Sequence, residues 1–141
     1  MPAARWEHFE HQADMGVRGI GRDMTEAFAQ AALAMTAIIT DPACVQPEKA
    51  ISVACLEADP ELLFVDWLNQ VIYEMATRGM LFSRFDVHIG DNGELKAGIR
   101  SETVDRSRHT PTVEIKGATF TELSVRRQTD GRWVAQCVVD V

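Results

Sequence analysis

The 141 residues carry 46% hydrophobic and 25% charged side chains with no low-complexity block, so the chain reads as one soluble globular domain over 1–141, long enough to bury about 70% of its extended surface. A formal net charge of −7 argues against a protein that grips nucleic acid by itself, because phosphate binding draws on clustered Lys and Arg that release counterions, and no direct nucleic-acid binding is expected. Cys44, Cys55 and Cys137 form neither a disulfide framework nor a zinc pattern, and with no apolar signal core and no membrane-spanning run the expected compartment is the cytoplasm.

Residues 5–9 and 15–20 read as short strands, with Trp6, Phe9, Val17 and Ile20 as inward candidates. Between them Glu10-His11-Gln12-Ala13-Asp14-Met15-Gly16 crowds polar groups where the chain must turn or cross a sheet edge. From composition alone this is a charged connector with a hydrogen-bonded His. Asp23-Met24-Thr25-Glu26 fits a capping box. Met24, Phe28, Ala31, Met35 and Ile38 then recur at helical spacing, predicting a helix over 24–39 that Thr40-Asp41-Pro42 ends.

Ile51, Val53 and Cys55 alternate with Ser52 and Ala54 as in a half-buried strand. Asp59 at the N-cap, Pro60 after it and Gly79 at the far end delimit a second helix. Leu62, Val65, Leu68, Ile72 and Met75 line one face of it, widened by Leu63, Trp67 and Val71, and this helix is expected to be the more buried of the two. Asp66, Asn69, Gln70, Tyr73 and Glu74 form the opposite, solvated stripe, which gains a binding role only if Asp66 or Asn69 proves sheltered and hydrogen-bonded.

Strands follow: 81–89, a Gly90-Asp91-Asn92-Gly93 turn, 94–100, a polar loop over 101–108, then 112–116, 119–128, an Asp130-Gly131 turn and 133–141, together a β-meander. The pairs Arg106 with Arg108 and Arg126 with Arg127 read as solvated surface, too short for a binding stripe. The fold class predicted is α+β, a largely antiparallel sheet with two helices packed on one side. Both halves share a strand, helix, strand, strand rhythm without a residue-level repeat.

Asp14, Asp140 and the α-carboxylate of Val141 are the oxygen-rich set, suited to a hard cation such as Ca²⁺ or Mg²⁺ if the last strand finishes beside the first turn. Without a cation, two carboxylates ~4 Å apart would repel by about 4 kcal/mol at an effective dielectric of ~20. A cluster would need a metal, a proton or a Lys, and Lys116 is the natural counter-charge. His11 and His109 are each either hydrogen-bonded turn residues or groups that orient Asp14. A hydrolase could be assembled from His11, His109, Asp14 and Cys137, but no nucleophile motif such as GxSxG is present.

Four segments taken together resemble the archease family: Glu10 to Gly16, Leu62-Leu63-Phe64-Val65-Asp66-Trp67-Leu68-Asn69, the run from Arg108-His109 to Val113-Glu114-Ile115-Lys116, and Trp133 to Asp140-Val141. Thr25-Glu26-Ala27-Phe28 and Met35 to Thr40-Asp41 also match, so the resemblance covers nearly the whole chain. It implies a fold of strand, helix, strand, strand units and an accessory protein of the RtcB-type RNA ligase, which joins RNA ends with GTP in tRNA splicing and repair. Such a protein is not itself catalytic; it promotes guanylylation of the ligase's active-site His and repeated turnover. The resemblance places the metal positions on Asp14, Asp140 and Val141, for a divalent cation, Ca²⁺ ahead of Mg²⁺ or Mn²⁺. It places the basic functional position on Lys116, with His11 and His109 as candidate supporting groups. Gln12 departs from the family's usual Thr in His-Thr-Ala-Asp, so the loop is expected to be shaped or closed differently. The alternatives are a general protein-binding or chaperone-like module and, behind it, a metal-dependent hydrolase.

Overall fold

Local signals set the helix ends. Asp23 accepts the Glu26 N–H at 2.8 Å and Glu26 reaches back to the Arg22 N–H at 2.8 Å, so helix α1 runs Met24–Ile39. Asp59 accepts from the N–H groups of Glu61 and Leu62, Pro60 follows at the first helical position, and Gly79 closes the far end at φ 61, giving α2 as Pro60–Arg78. The computed structural model describes residues 4–141, so the first three residues of the N-terminal stretch read for a signal core lie outside it. The strands are β1 Arg5–His11, β2 Asp14–Gly21, β3 Lys49–Leu56, β4 Met80–Ile89, β5 Glu94–Thr103, β6 Gly117–Ala118, β7 Ser124–Arg127 and β8 Trp133–Asp140, with a one-turn helix α3 at Arg106–His109. No helix among the described residues is long and apolar enough to cross a membrane.

The class is α+β and every strand pairing is antiparallel, but the strands divide into two sheets rather than one. One sheet has the order β1-β2-β8-β6 with β7 also on β8; the other is β3-β5-β4. Both helices lie between them. The Thr36 hydroxyl on α1 donates to the Phe82 carbonyl of β4 at 2.8 Å, and the Trp67 indole N–H on α2 donates to the Phe28 carbonyl of α1 at 3.0 Å. The segment β3-α2-β4-β5 is a complete strand, helix, strand, strand unit, whereas the unit opened by β2 and α1 finds its remaining strands at the C-terminus.

Strand β2 can lie this close to α1 because Gly19 faces it: a Cβ there would sit 1.9 Å from the Ala27 carbonyl oxygen and 2.5 Å from the Ala31 nitrogen. Phe28, Phe64, Trp67, Phe82 and Met35 fill the layer between the sheets, each with at most 1% exposure, worth about 1.5–3 kcal/mol per side chain against solvent. Against expectation α1 is the more buried helix, with eight buried positions in 16 residues where α2 has seven in 19. The buried stripe of α2 centres on Leu63, Trp67 and Val71, which rotates Leu62 out to 40% exposure.

The C-terminal half departs from a single meander. Strand β5 continues to Thr103 and the expected loop then forms α3. Residues 110–116, read as partly strand, run as a strap across the ends of α1 and α2, held where the Thr112 N–H donates to the Ile39 carbonyl at 3.0 Å. Val113 is turned out at 41% exposure while Ile115, two residues on, is buried at 5%, so the period-two alternation of a strand is not kept here.

Candidate functional site

The polar turn between the first two strands is a two-residue hairpin, Gln12-Ala13, with His11 paired directly to Asp14. Gln12 takes φ 55, the left-handed region in which a β-branched residue is most strained. Gln12 is therefore a backbone-turning residue here, and a Thr in its place would raise the conformational cost of the turn. Phe9 pairs with Gly16 and its ring lies where a Gly16 Cβ would be, with the nearest ring atoms 2.3 Å from that position, which seals the strand beside Asp14.

Strand β8 runs antiparallel to β2 with Met15 opposite Val139 and Gly16 opposite Val138. The same register, one position further, sets Asp14 opposite Asp140. Directly opposed residues of an antiparallel pair point to one face with Cβ atoms about 4.5–5.5 Å apart. Thus His11, Asp14 and Asp140 form a row across β1, β2 and β8. Asp140 is exposed and Asp14 half-buried, and among the described residues neither has a Lys, Arg or His nitrogen within 4.0 Å.

Lys116 is brought to the same strand end by backbone pairing. Its N–H donates to the Asp140 carbonyl at 2.8 Å, and Gly117 pairs with Asp140. The edge is fixed from the helix side, since Asn69 on the polar stripe of α2 accepts the Ala118 N–H at 2.9 Å and Glu61 accepts the Val125 N–H at 3.3 Å. Asn69 is exposed but bonded, so its part is to satisfy an edge donor and hold β6 beside β8. The sequence marked this stripe as polar; the specific role of Asn69 was invisible without the register of β6.

Two carboxylates with no cation of their own suit a hard divalent ion, whose oxygen ligands lie at about 2.3–2.6 Å for Ca²⁺. The side-chain set stops at two: among the described residues no group of three or more His, Cys, Asp and Glu side chains is gathered to hold a metal ion. Further ligands would come from Val141, which follows Asp140, and from water or a partner.

His109 is not brought to Asp14. It is 1% exposed and both ring nitrogens are committed elsewhere: Nδ1 accepts the Asp105 N–H at 2.9 Å, which leaves the proton on Nε2 to bond Glu102 at 3.0 Å. Arg108 pairs with both oxygens of the same Glu102, and the Gln46 N–H adds a bond at 2.8 Å. The Arg108 guanidinium foremost, with the Gln46 and His109 bonds, holds the Glu102 carboxyl at about 2 against its usual 4.5. This cluster ties α3 to β5 and to the loop after α1, where the Thr40 hydroxyl also donates to the His109 carbonyl. Its work is structural.

The hydrolase arrangement is not assembled either. Cys137 is fully buried on the helix side of β8, and burial pushes its thiol up to about 12, so it carries no thiolate near neutral pH. His8 Nε2 donates to the Ala34 carbonyl at 2.7 Å and His88 stands exposed beside Asp86.

Comparison with known proteins agrees with this fold. The model of the archease protein family matches residues 6–141. The archease of Thermococcus gammatolerans is 36% identical over 140 residues, 97% of this chain and 99% of that protein. Those of Pyrococcus abyssi and Methanosarcina acetivorans are 34% and 35% identical, each over 97% of this chain and over 99% and 96% of their own lengths. The solution structure of Methanobacterium thermoautotrophicum protein 1598 superposes with a TM-score of 0.84 at 30% identity, covering 96% of this chain and 98% of that one.

Proposed function

This chain belongs to the archease family, and on that premise we propose that it is an accessory protein that activates an RtcB-type RNA ligase in tRNA splicing and RNA repair. In this reading it promotes guanylylation of the ligase's active-site His and repeated turnover, and has no catalytic centre of its own. The observation that carries the reading is the register that sets Asp14 opposite Asp140 at the end of β2 and β8, with Lys116 bonded to the same strand end.

Asp14, Asp140 and Val141 would hold a divalent cation, Ca²⁺ ahead of Mg²⁺ or Mn²⁺, because an exposed, incomplete oxygen set with water suits the looser coordination of Ca²⁺. A bound cation would supply positive charge that offsets the paired carboxylates. The chain's own residues do the positioning: the hairpin turn aims Asp14, the edge strand pinned by Asn69 presents Lys116, and the strand ladder holds both against movement. A rigid, charge-balanced strand end is the kind of surface that can select one conformation of a nucleotide-binding partner, since alignment and charge neutralisation carry most of phosphoryl-type transfer. The cytoplasm is the matching compartment.

The test is ligase guanylylation with GTP in the presence of Asp14→Asn, Asp140→Asn and Lys116→Met variants. Each should fold as the wild type by circular dichroism and lose most of the stimulation. Undiminished stimulation by Asp14→Asn or Asp140→Asn refutes the site. Extending the chain after Val141 should weaken cation binding, whereas an N-terminal tag should not.

A further inference from the structure

The outer face of the five-stranded sheet collects arginines that are far apart in sequence. Parity along the strands puts Arg5 and Glu7 of β1, Arg18 of β2, Gln136 of β8 and Arg126 of β7 on one side, in the pairs Glu7 with Arg18, Arg18 with Gln136 and Arg126 with Val134. Arg132 enters from the turn before β8, and these side chains line a concavity of about 180 Å³. Its floor is apolar: Ile20 and Val134 are each 4% exposed beneath the arginine stems.

Carboxylates balance only part of this charge. Glu7 is shared by Arg5 at 3.3 Å and Arg18 at 3.0 Å, and Asp130 holds Arg132 at 2.9 Å. Arg126 has no carboxylate within 4.0 Å among the described residues. Four guanidiniums against two carboxylates therefore leave an excess of two positive charges on a chain whose net charge is −7. Two of the arginines, Arg18 and Arg132, are also held in place. Arg18 bonds Gln136 at 2.8 Å and lies 4.7 Å above the Phe9 ring, and the side chains of Arg18 and Arg132 are only 29% and 21% exposed. Fixed guanidinium forks over a low-dielectric floor match the geometry of a tetrahedral oxyanion, and a hollow this small admits a phosphate group rather than a folded acidic element.

We propose that this face is a phosphate-binding site, taking either a free phosphate or a phosphodiester of a nucleic-acid strand. Isolated arginine pairs in the sequence gave no such stripe, because the site is built by strand register. It shares its sheet face with Asp14 and Asp140, about 13 Å away along β2, but stands independently of the ligase reading.

The full-length chain is titrated by calorimetry at low ionic strength with inorganic pyrophosphate, a short oligouridylate RNA and polyglutamate. Arg126→Gln and Arg126→Gln/Arg132→Gln are compared with Lys96→Gln, a charge removal on the other sheet, with thermal melts confirming the fold. Phosphate-bearing probes should bind, with Arg126→Gln weakening them about tenfold and Lys96→Gln leaving them unchanged. Tighter RNA than pyrophosphate binding, with a log–log salt slope of about −0.7 per phosphate, assigns the strand as source; equal or weaker RNA binding assigns the free anion. The proposal fails if neither probe binds, if Lys96→Gln loses as much as Arg126→Gln, or if polyglutamate binds as tightly as pyrophosphate.

Discussion

Replacing Asp140 by Asn should stabilise the chain in the absence of divalent cations and remove its response to Ca²⁺. The register that pairs Met15 with Val139 sets Asp14 against Asp140 when continued by one position, and neither side chain has an ion-pair or hydrogen-bond partner among the described residues. Two carboxylates about 5 Å apart in a water-like dielectric repel by about 0.8 kcal/mol, within the range of about 0.2–1 kcal/mol for like charges on facing strand positions. Asn keeps the shape and removes the repulsion, so the melting temperature in EDTA should rise by about 2–3 °C for a domain of this size. Ca²⁺ at about 100 times its dissociation constant should stabilise the wild type by about 2.7 kcal/mol and the variant far less. Melts of both proteins by circular dichroism near neutral pH, in EDTA and in Ca²⁺, make the comparison. A variant that melts below the wild type in EDTA, or an equal Ca²⁺ shift in the two proteins, would refute the paired-carboxylate argument.

Gly19→Ala should cost about 3 kcal/mol or more in urea denaturation, because the new methyl meets helix backbone at 1.9 Å, while Gly98→Ala, with nothing within 4 Å, should be near neutral. Gln12→Gly should stabilise the hairpin by about 0.5–1 kcal/mol and Gln12→Thr should destabilise it, both read as urea midpoints, since residue 12 holds φ 55. Glu102 has a folded pKa depressed to about 2 from 4.5, so its contribution is fully present above 4.5 and is lost as pH falls through about 2. Urea midpoints taken across that window should fall less steeply for Glu102→Gln than for the wild type; parallel curves would remove Glu102 from the acid response.

What the sequence made legible was local. Asp23 and Glu26, Asp59 and Pro60, and Gly79 mark helix ends through bonds to groups within four residues, so the boundaries of α1 and α2 follow from composition alone. The alternation of Ile51, Val53 and Cys55 likewise marked β3. The partition of strands between two sheets was not legible, because a strand's pattern states which face is apolar and not which neighbour it pairs with. His109 shows the same limit: a His before Thr110-Pro111 looks available, yet Arg108 and Glu102 enclose it once β5 extends to Thr103.

The two charged regions of the outer sheet face have one cause. Antiparallel pairing adds positions to a constant: 15 with 139 and 18 with 136 both sum to 154, so every even residue from Asp14 to Ile20 meets an even residue of β8. That single constant places Asp14 against Asp140 at one end and Arg18 against Gln136 further along, and a slip by one residue would bury all of them against α1. Val17, Cys137 and Val139, each fully buried on the opposite face, fix the register by what they would lose in water, about 1.5–3 kcal/mol for each valine. The position of the candidate site is therefore set by apolar residues that take no part in its chemistry. It follows that a polar substitution at Val139 should disturb the facing carboxylates as well as the core.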